Sequence, residues 1–267
     1  MNPAPAPAAE SHPTTTEACV NCAQPLATGP FCPYCGQARP HRLSVGHLLH
    51  ELVHVFTHAD KSIFAYARQV LLHPGRVVSD YLAGRRKRYF NPFQFLLLMA
   101  GFVTTLNLVL KYYEGTAASI QAQFRGYFSN EQVERVGQYF EHVGKYYNLW
   151  WLLLLLPLFA LITWLVYYKR LNYAEAFFVQ VVTGAAFHLW FLVALFPMLW
   201  LTNGKPGTYS SILQSVLLLI YLVLVGRRGL GLTWGGAVWR AAAVVGIGMA
   251  LSWQLNGLLF RWYVFWR

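Results

Sequence analysis

Five apolar stretches, at about 93–110, 149–168, 176–201, 209–226 and 237–260, are about 20 residues long or somewhat longer. A helix of that length crosses a hydrocarbon core of about 30 Å, and in lipid only a helix or a closed barrel can satisfy every backbone N–H and C=O. The five stretches therefore predict an all-α polytopic membrane protein with about five transmembrane helices. Composition agrees, since 56% of the 267 residues are hydrophobic and only 12% are charged. The first span has a defined start: Asn91 can cap it, and Pro92 suits the first turn, where a missing N–H costs nothing.

The formal charge of +11 is concentrated at the ends of the apolar runs. Arg85-Arg86-Lys87-Arg88 precedes the first span, Lys169-Arg170 follows the second and Arg227-Arg228 follows the fourth. Five spans place these clusters on one side, and the excess of cations on the inner side of membrane proteins makes that side cytoplasmic. Anionic headgroups and insertion asymmetry account for the charge better than nucleic acid does. The segment from Lys111 to Asn148 is nearly neutral and fits the outer side, with an amphipathic helix running into span two on Val133, Val136, Tyr139, Phe140, Val143 and Tyr147. The C-terminus would also be external, with Trp262, Tyr263 and Trp266 forming an interfacial belt.

Residues 1–17 are rich in Pro, Ala and Thr, without a basic segment or an apolar core of the signal-peptide kind, and read as a disordered tail. Residues 18–40 hold all four cysteines as two C-x-x-C knuckles, Cys19/Cys22 and Cys32/Cys35, a spacing that presents four thiolates tetrahedrally to one zinc ion. Gly36 can take the positive φ that aims N–H groups at the sulfurs, and Pro33 stiffens the turn. Four thiolates leave no position for an activated water, so this Zn2+ would be structural and no catalytic residues are assigned. Disulfides or free thiols are the alternative, which a reducing cytoplasmic setting disfavours.

Residues 43–90 read as amphipathic juxtamembrane helices. In the first, from Leu43 to Thr57, Ser44 caps an apolar face of Val45, Leu48, Leu49, Leu52 and Phe56. On the opposite face His47, His50, His54 and His58 fall within an arc of about 80°, with Glu51 beside them. Three readings stay open for this stripe: a plain amphipathic helix on the membrane surface, a second metal or pH-sensing site, or a zinc hydrolase at His50-Glu51-His54, which matches H-E-x-x-H. The hydrolase lacks a third ligand at a recognisable spacing, since downstream only His58, His73 and Asp80 offer themselves. A second helix runs from Ser62 to Leu72, and a third from Arg76 to Ala83 ends at Gly84 as its C-cap.

The run from Cys19 to Phe95 resembles a family of bacterial membrane proteins known as domain of unknown function 3667. The residues that carry the resemblance are Phe31-Cys32-Pro33-Tyr34-Cys35-Gly36-Gln37, Arg42-Leu43-Ser44, Asp60-Lys61, His73-Pro74-Gly75-Arg76, Asp80-Tyr81-Leu82, Gly84-Arg85-Arg86 and Arg88-Tyr89-Phe90-Asn91-Pro92-Phe93. The resemblance implies a zinc ribbon joined to several membrane helices, and the expected location is a bacterial inner membrane. It implies no activity.

Within the spans, His188 lies near the centre of the third, on the helix that carries Gln180 and Thr183. An ionisable group at that depth marks either interhelical bonding or a proton or solute path. Asn107, Gln214, Gln254 and Asn256 are candidate partners or interhelical glue, and Glu175 and Arg240 can pair across the bundle or snorkel to the headgroups. No inverted repeat or pair of broken spans is visible, which weakens a transporter. The leading expectation is a non-enzymatic scaffold or sensor in the lipid bilayer, whose ribbon and basic helices bind a cytoplasmic protein partner or anionic lipid. A small-solute or proton transporter using His188, and the hydrolase, are the alternatives. Ala241, Ala242, Gly246 and Ala250 in the last span permit close helix packing but leave the oligomeric state open.

Overall fold

The computed structural model describes residues 17–26, 28–40, 42, 44–46, 63–195, 197 and 208–266. Among them every regular element is a helix, and pairing between extended segments is limited to isolated bridges. We number the helices α1 (Ile63–Leu72), α2 (Pro74–Leu82), α3 (Pro92–Val109), α4 (Tyr112–Phe124) and α5 (Asn130–Lys145). A long apolar helix, α6 (Tyr147–Val166), contains a π-helical turn at Trp151–Leu155. It is followed by α7 (Tyr173–Trp190), α8 (Thr208–Leu224) and α9 (Trp234–Arg261), each continued by a π-helical turn.

Four of these helices are long and apolar enough to cross a membrane: α3, α6, α7 with its continuation to Val193, and α9 with its continuation to Trp266. The fourth expected span falls on α8, whose 17 residues reach about 26 Å before the π turn at Val225–Gly229 takes over. The ends alternate. Pro92, Val166, Tyr173, Val225 and Trp234 lie at one end of the bundle, so the three expected cationic clusters do share a side. At the other end α4 and α5 form a hairpin against the last turns of α9, where Tyr139 donates to Asn256 and Phe124 meets Phe260.

Four helix starts follow from side-chain caps, that of α9 from Thr233 Oγ1, which accepts the Gly236 N–H. Asn91 Oδ1 accepts from the N–H groups of Phe93 and Gln94, with Pro92 at the first helical position, as expected. Ser129/Gln132 and Asn172/Glu175 form reciprocal capping boxes at α5 and α7.

The central element is α7. Fourteen of its 18 residues are buried, from Ala174 to Leu189. Small residues at Ala174, Ala176, Gly184, Ala185 and Ala186 let α3, α6 and α8 approach its backbone closely. The juxtamembrane helices are part of the same core. Tyr66, Val70, Val77, Val78 and Tyr81 are buried, Tyr81 stacks on Phe178 of α7 at 4.0 Å, and Tyr221 of α8 donates to the Val70 carbonyl at 3.0 Å. Burying these side chains rather than leaving them at a membrane surface is worth about 2 kcal/mol each, which fixes α1 and α2 against the bundle end.

Candidate metal centre and its docking surface

Each cysteine pair sits in the same local structure. The Cys19 N–H donates to the Gln24 carbonyl at 2.8 Å and the Cys32 N–H to the Gln37 carbonyl at 2.8 Å. Antiparallel bridges Ala18 to Pro25 and Phe31 to Ala38 close the two loops. The residue after the second cysteine takes the left-handed conformation in both knuckles, Gly36 at φ 67° and Ala23 at φ 58°. Gly36 was expected; Ala23, which carries a Cβ there, was not, and only its position after Cys22 could have indicated it.

The four sulfurs converge. All lie within 4.8 Å of one another, and Cys19–Cys35 and Cys22–Cys32 are 3.7 Å apart. A tetrahedron with metal–sulfur bonds of about 2.3 Å has sulfur–sulfur edges of about 3.8 Å, so the arrangement fits one tetrahedral metal ion. Hydrogen bonding from the Cys22 backbone lowers the pKa of Cys19 in spite of burial, and the Asn21 side chain lowers Cys35 to about 6. These two shifts favour the thiolates that a metal requires, whereas at Cys22 the hydrogen bond from the Gln24 backbone is outweighed by burial and the neighbouring Cys35 and Cys19 thiols, which push it the other way, up to about 12.

The second knuckle is seated on the basic turn before α3. Gln37, buried, accepts from the Lys87 N–H at 2.8 Å, and the Lys87 side chain lies over Gly36. Gly84 has φ 86°, and a Cβ there would stand 2.5 Å from Pro40 Cβ. Its expected role at the end of α2 is therefore joined to a second one, close approach of the ribbon.

The expected cluster Arg85, Arg86, Lys87 and Arg88 is divided by this packing. Arg85 donates to Asp80 Oδ1 through Nε at 2.9 Å and Nη2 at 2.6 Å, Arg88 to Oδ2 at 3.1 Å, and the Tyr89 hydroxyl to Oδ2 at 2.6 Å. Burial would raise the Asp80 carboxyl, but the hydrogen bonds from Tyr89 and Arg85 outweigh it and hold the group below its ordinary value. Burial and the same hydrogen bond push Tyr89 up to about 12. Arg86 lies over the Tyr81 ring at 5.2 Å. Two of the four cations thus serve an internal carboxylate.

His188 is buried between α3, α6 and α7. Its Nδ1 lies 2.7 Å from the Gly184 carbonyl and its Nε2 lies 3.3 Å from Asn148 Oδ1. Asn148 in turn donates to the Ala100 carbonyl at 3.1 Å and to Thr104 Oγ1 at 2.6 Å. Among the described residues its side-chain partner is Asn148, a lone amide at the head of an apolar run, rather than Gln214, Gln254 or Asn256. Glu175 pairs with Arg42 rather than Arg240. Between α7 and α8, beside Thr183 and Gln214, there is a cavity of about 10 Å³, room for about one water.

His47, His50, Glu51, His54 and His58 lie outside the described residues, as do Asp60 and Lys61. Residues 60–104 match the model of a family described as a protein of unknown function (DUF3667). The match bears out the resemblance drawn from the sequence. It covers α1, α2 and most of α3, including Asp80 and the basic turn, and leaves the four cysteines outside. No curated protein and no solved structure matches the chain.

Proposed function

We propose that this multi-pass membrane protein is a non-enzymatic scaffold or sensor, in which a structural zinc ribbon on the cytoplasmic face of a bacterial inner membrane presents a docking surface. The observation that carries the reading is the ribbon's division into two faces. The Gln37 side is clamped onto Lys87 and Gly84, whereas Phe31 and Tyr34 on the second knuckle are 60% and 68% exposed. Exposed aromatic side chains on a rigid support favour a protein partner. Zinc suits four thiolates at these separations, and a closed shell supports structure rather than hydrolysis. The cytoplasmic orientation is supported by the three basic clusters at the ribbon end.

The full-length Phe31→Ser/Tyr34→Ser variant tests the docking role, because both side chains are exposed and neither is a ligand. Cross-linked recovery of cytoplasmic partners from native membranes should fall at least tenfold, about the effect of removing one aromatic anchor, with zinc retained. Unchanged recovery would overturn the reading.

A second reading, proton or small-solute movement through the bundle, is favoured by one observation: both ring nitrogens of His188 face oxygens inside the spans. Flux into proteoliposomes that is unaffected by His188→Ala would remove it.

A further inference from the structure

The connection from α6 to α7 reads Tyr167-Tyr168-Lys169-Arg170-Leu171-Asn172, two aromatic residues followed by two cations. The fold brings it against the second turn of α9. Between them opens a cleft of about 540 Å³, lined by Val166, Tyr167, Tyr168, Lys169, Arg170 and Arg240. Three of these six residues are cationic, and among the described residues no carboxylate pairs with any of the three. Glu175, the acid nearest in sequence, is taken by Arg42.

The cations are nonetheless held in place. Arg240 lies over the Trp239 ring at 4.4 Å and the Tyr167 ring at 5.9 Å, and donates one N–H to the Gly236 carbonyl at 3.1 Å. Arg170 donates to the Leu230 carbonyl at 3.2 Å, and Lys169 stands over the Tyr168 ring at 5.6 Å. Each arginine uses one hydrogen bond for positioning and keeps most of its five donors for a ligand. Planar donor forks with an ammonium beside them suit phosphate oxygens.

Depth identifies the source of the phosphate. Arg240 lies seven residues beyond the cap Thr233, about 10 Å along α9. Trp234, Trp239 and Tyr168 are exposed at this level, as aromatic residues are at the headgroup boundary. Leu165 and Leu161, exposed deeper along α6, offer apolar surface for acyl chains. We propose that this cleft binds the phosphate of an anionic phospholipid headgroup at the ribbon end of the bundle. The site is separate from the ribbon and from Asp80, and stands or falls apart from the docking role.

The test uses the full chain in nanodiscs of phosphatidylcholine with a minority of phosphatidylglycerol, released into mild detergent, with retained lipid read by native mass spectrometry. Phosphatidylglycerol should be enriched over phosphatidylcholine. Each cation removed should lower that enrichment about fivefold, so Lys169→Gln/Arg170→Gln should lower it about 25-fold. Both residues are exposed, so this variant folds whatever the cleft does. Arg240→Gln should act in the same direction, and Arg227→Gln/Arg228→Gln, at the same bundle end but outside the cleft, should leave enrichment unchanged. No enrichment in the wild type, or equal loss in the Arg227/Arg228 control, would overturn the proposal. Displacement of the lipid by inorganic phosphate, and not by chloride at equal ionic strength, would show a site for free phosphate and overturn the lipid assignment.

Discussion

Arg42 forks onto Glu175 across 133 residues of chain, Nε to Oε1 at 2.8 Å and Nη2 to Oε2 at 3.0 Å. The same carboxylate accepts the Asn172 N–H at 2.8 Å and so closes the capping box of α7. One side chain thus starts the central helix and ties down the segment that follows the ribbon. Arg42 is 65% exposed, and solvent screening limits the pair to about 1 kcal/mol or less. Arg42→Ala should therefore lower thermal stability in detergent only slightly. Glu175→Ala removes the box as well and should cost about 2 kcal/mol. Equal losses in the two variants would contradict the double role.

Asp80 is the other internal carboxylate of the ribbon end, 5% exposed, with Arg85, Arg88 and Tyr89 donating to it. Asp80→Asn leaves these donors with a neutral acceptor and should cost about 2 kcal/mol, less than a deeply buried pair because the arginines reach solvent. The pH dependence has a definite sign. A carboxyl held below its ordinary value stabilises the fold fully above the unfolded value of about 4, and that stabilisation is lost as pH falls through the folded value. The stability difference between wild type and Asp80→Asn should be flat from about pH 5 to 8 and narrow below about pH 4. A difference that changed around neutrality would implicate another group.

Local signals in the sequence were sufficient for the start of α3 at Asn91 and Pro92, for the turn at Gly84 and for the common side of the basic clusters. Each depends on residues adjacent in the chain or on a count of spans. Partners were not legible. Periodicity shows that Tyr66, Val70, Val77 and Tyr81 form apolar faces, but not that α7 and α8 cover them in place of lipid. For Glu175 the sequence left pairing with Arg240 or snorkelling to the headgroups, yet Arg42, which follows the ribbon, takes the carboxylate. Asn148 was hidden for the same reason: an amide at the head of a span says nothing about which helix bears the imidazole it meets.

Metal content separates the ribbon from the histidine stripe. Purified full-length protein should carry one zinc per chain if the four cysteines alone bind it, and His50→Ala/His54→Ala should leave that number unchanged. Cys19→Ser should lose the ion and, because the Gln37 contact with Lys87 depends on a folded knuckle, increase protease cleavage between the ribbon and α1. A second zinc lost with the two histidines would instead move a metal sensor or hydrolase to the front.

Gly184 decides how closely α6 approaches α7. A Cβ at this position would run into the indole of Trp151, which also stands edge-on to His188 with ring centroids 5.4 Å apart. The indole is a rigid plane carried by the π-helical turn of α6, so it yields only by turning about its side-chain torsions or by moving that turn. Gly184→Ala should therefore destabilise the protein by about 2 kcal/mol, as overpacking does in a filled interior. Trp151→Leu in the same chain should recover much of the loss by making room, although it leaves a small cavity of its own. The Gly184 carbonyl also accepts from His188, so displacement of α6 should change the environment of that ring. Imidazole signals in NMR of His-labelled protein should move in Gly184→Ala and return toward the wild-type position in the double variant. Thermal unfolding unchanged in Gly184→Ala would show that the helices have slack at this crossing and that the approach of Trp151 is not what fixes His188.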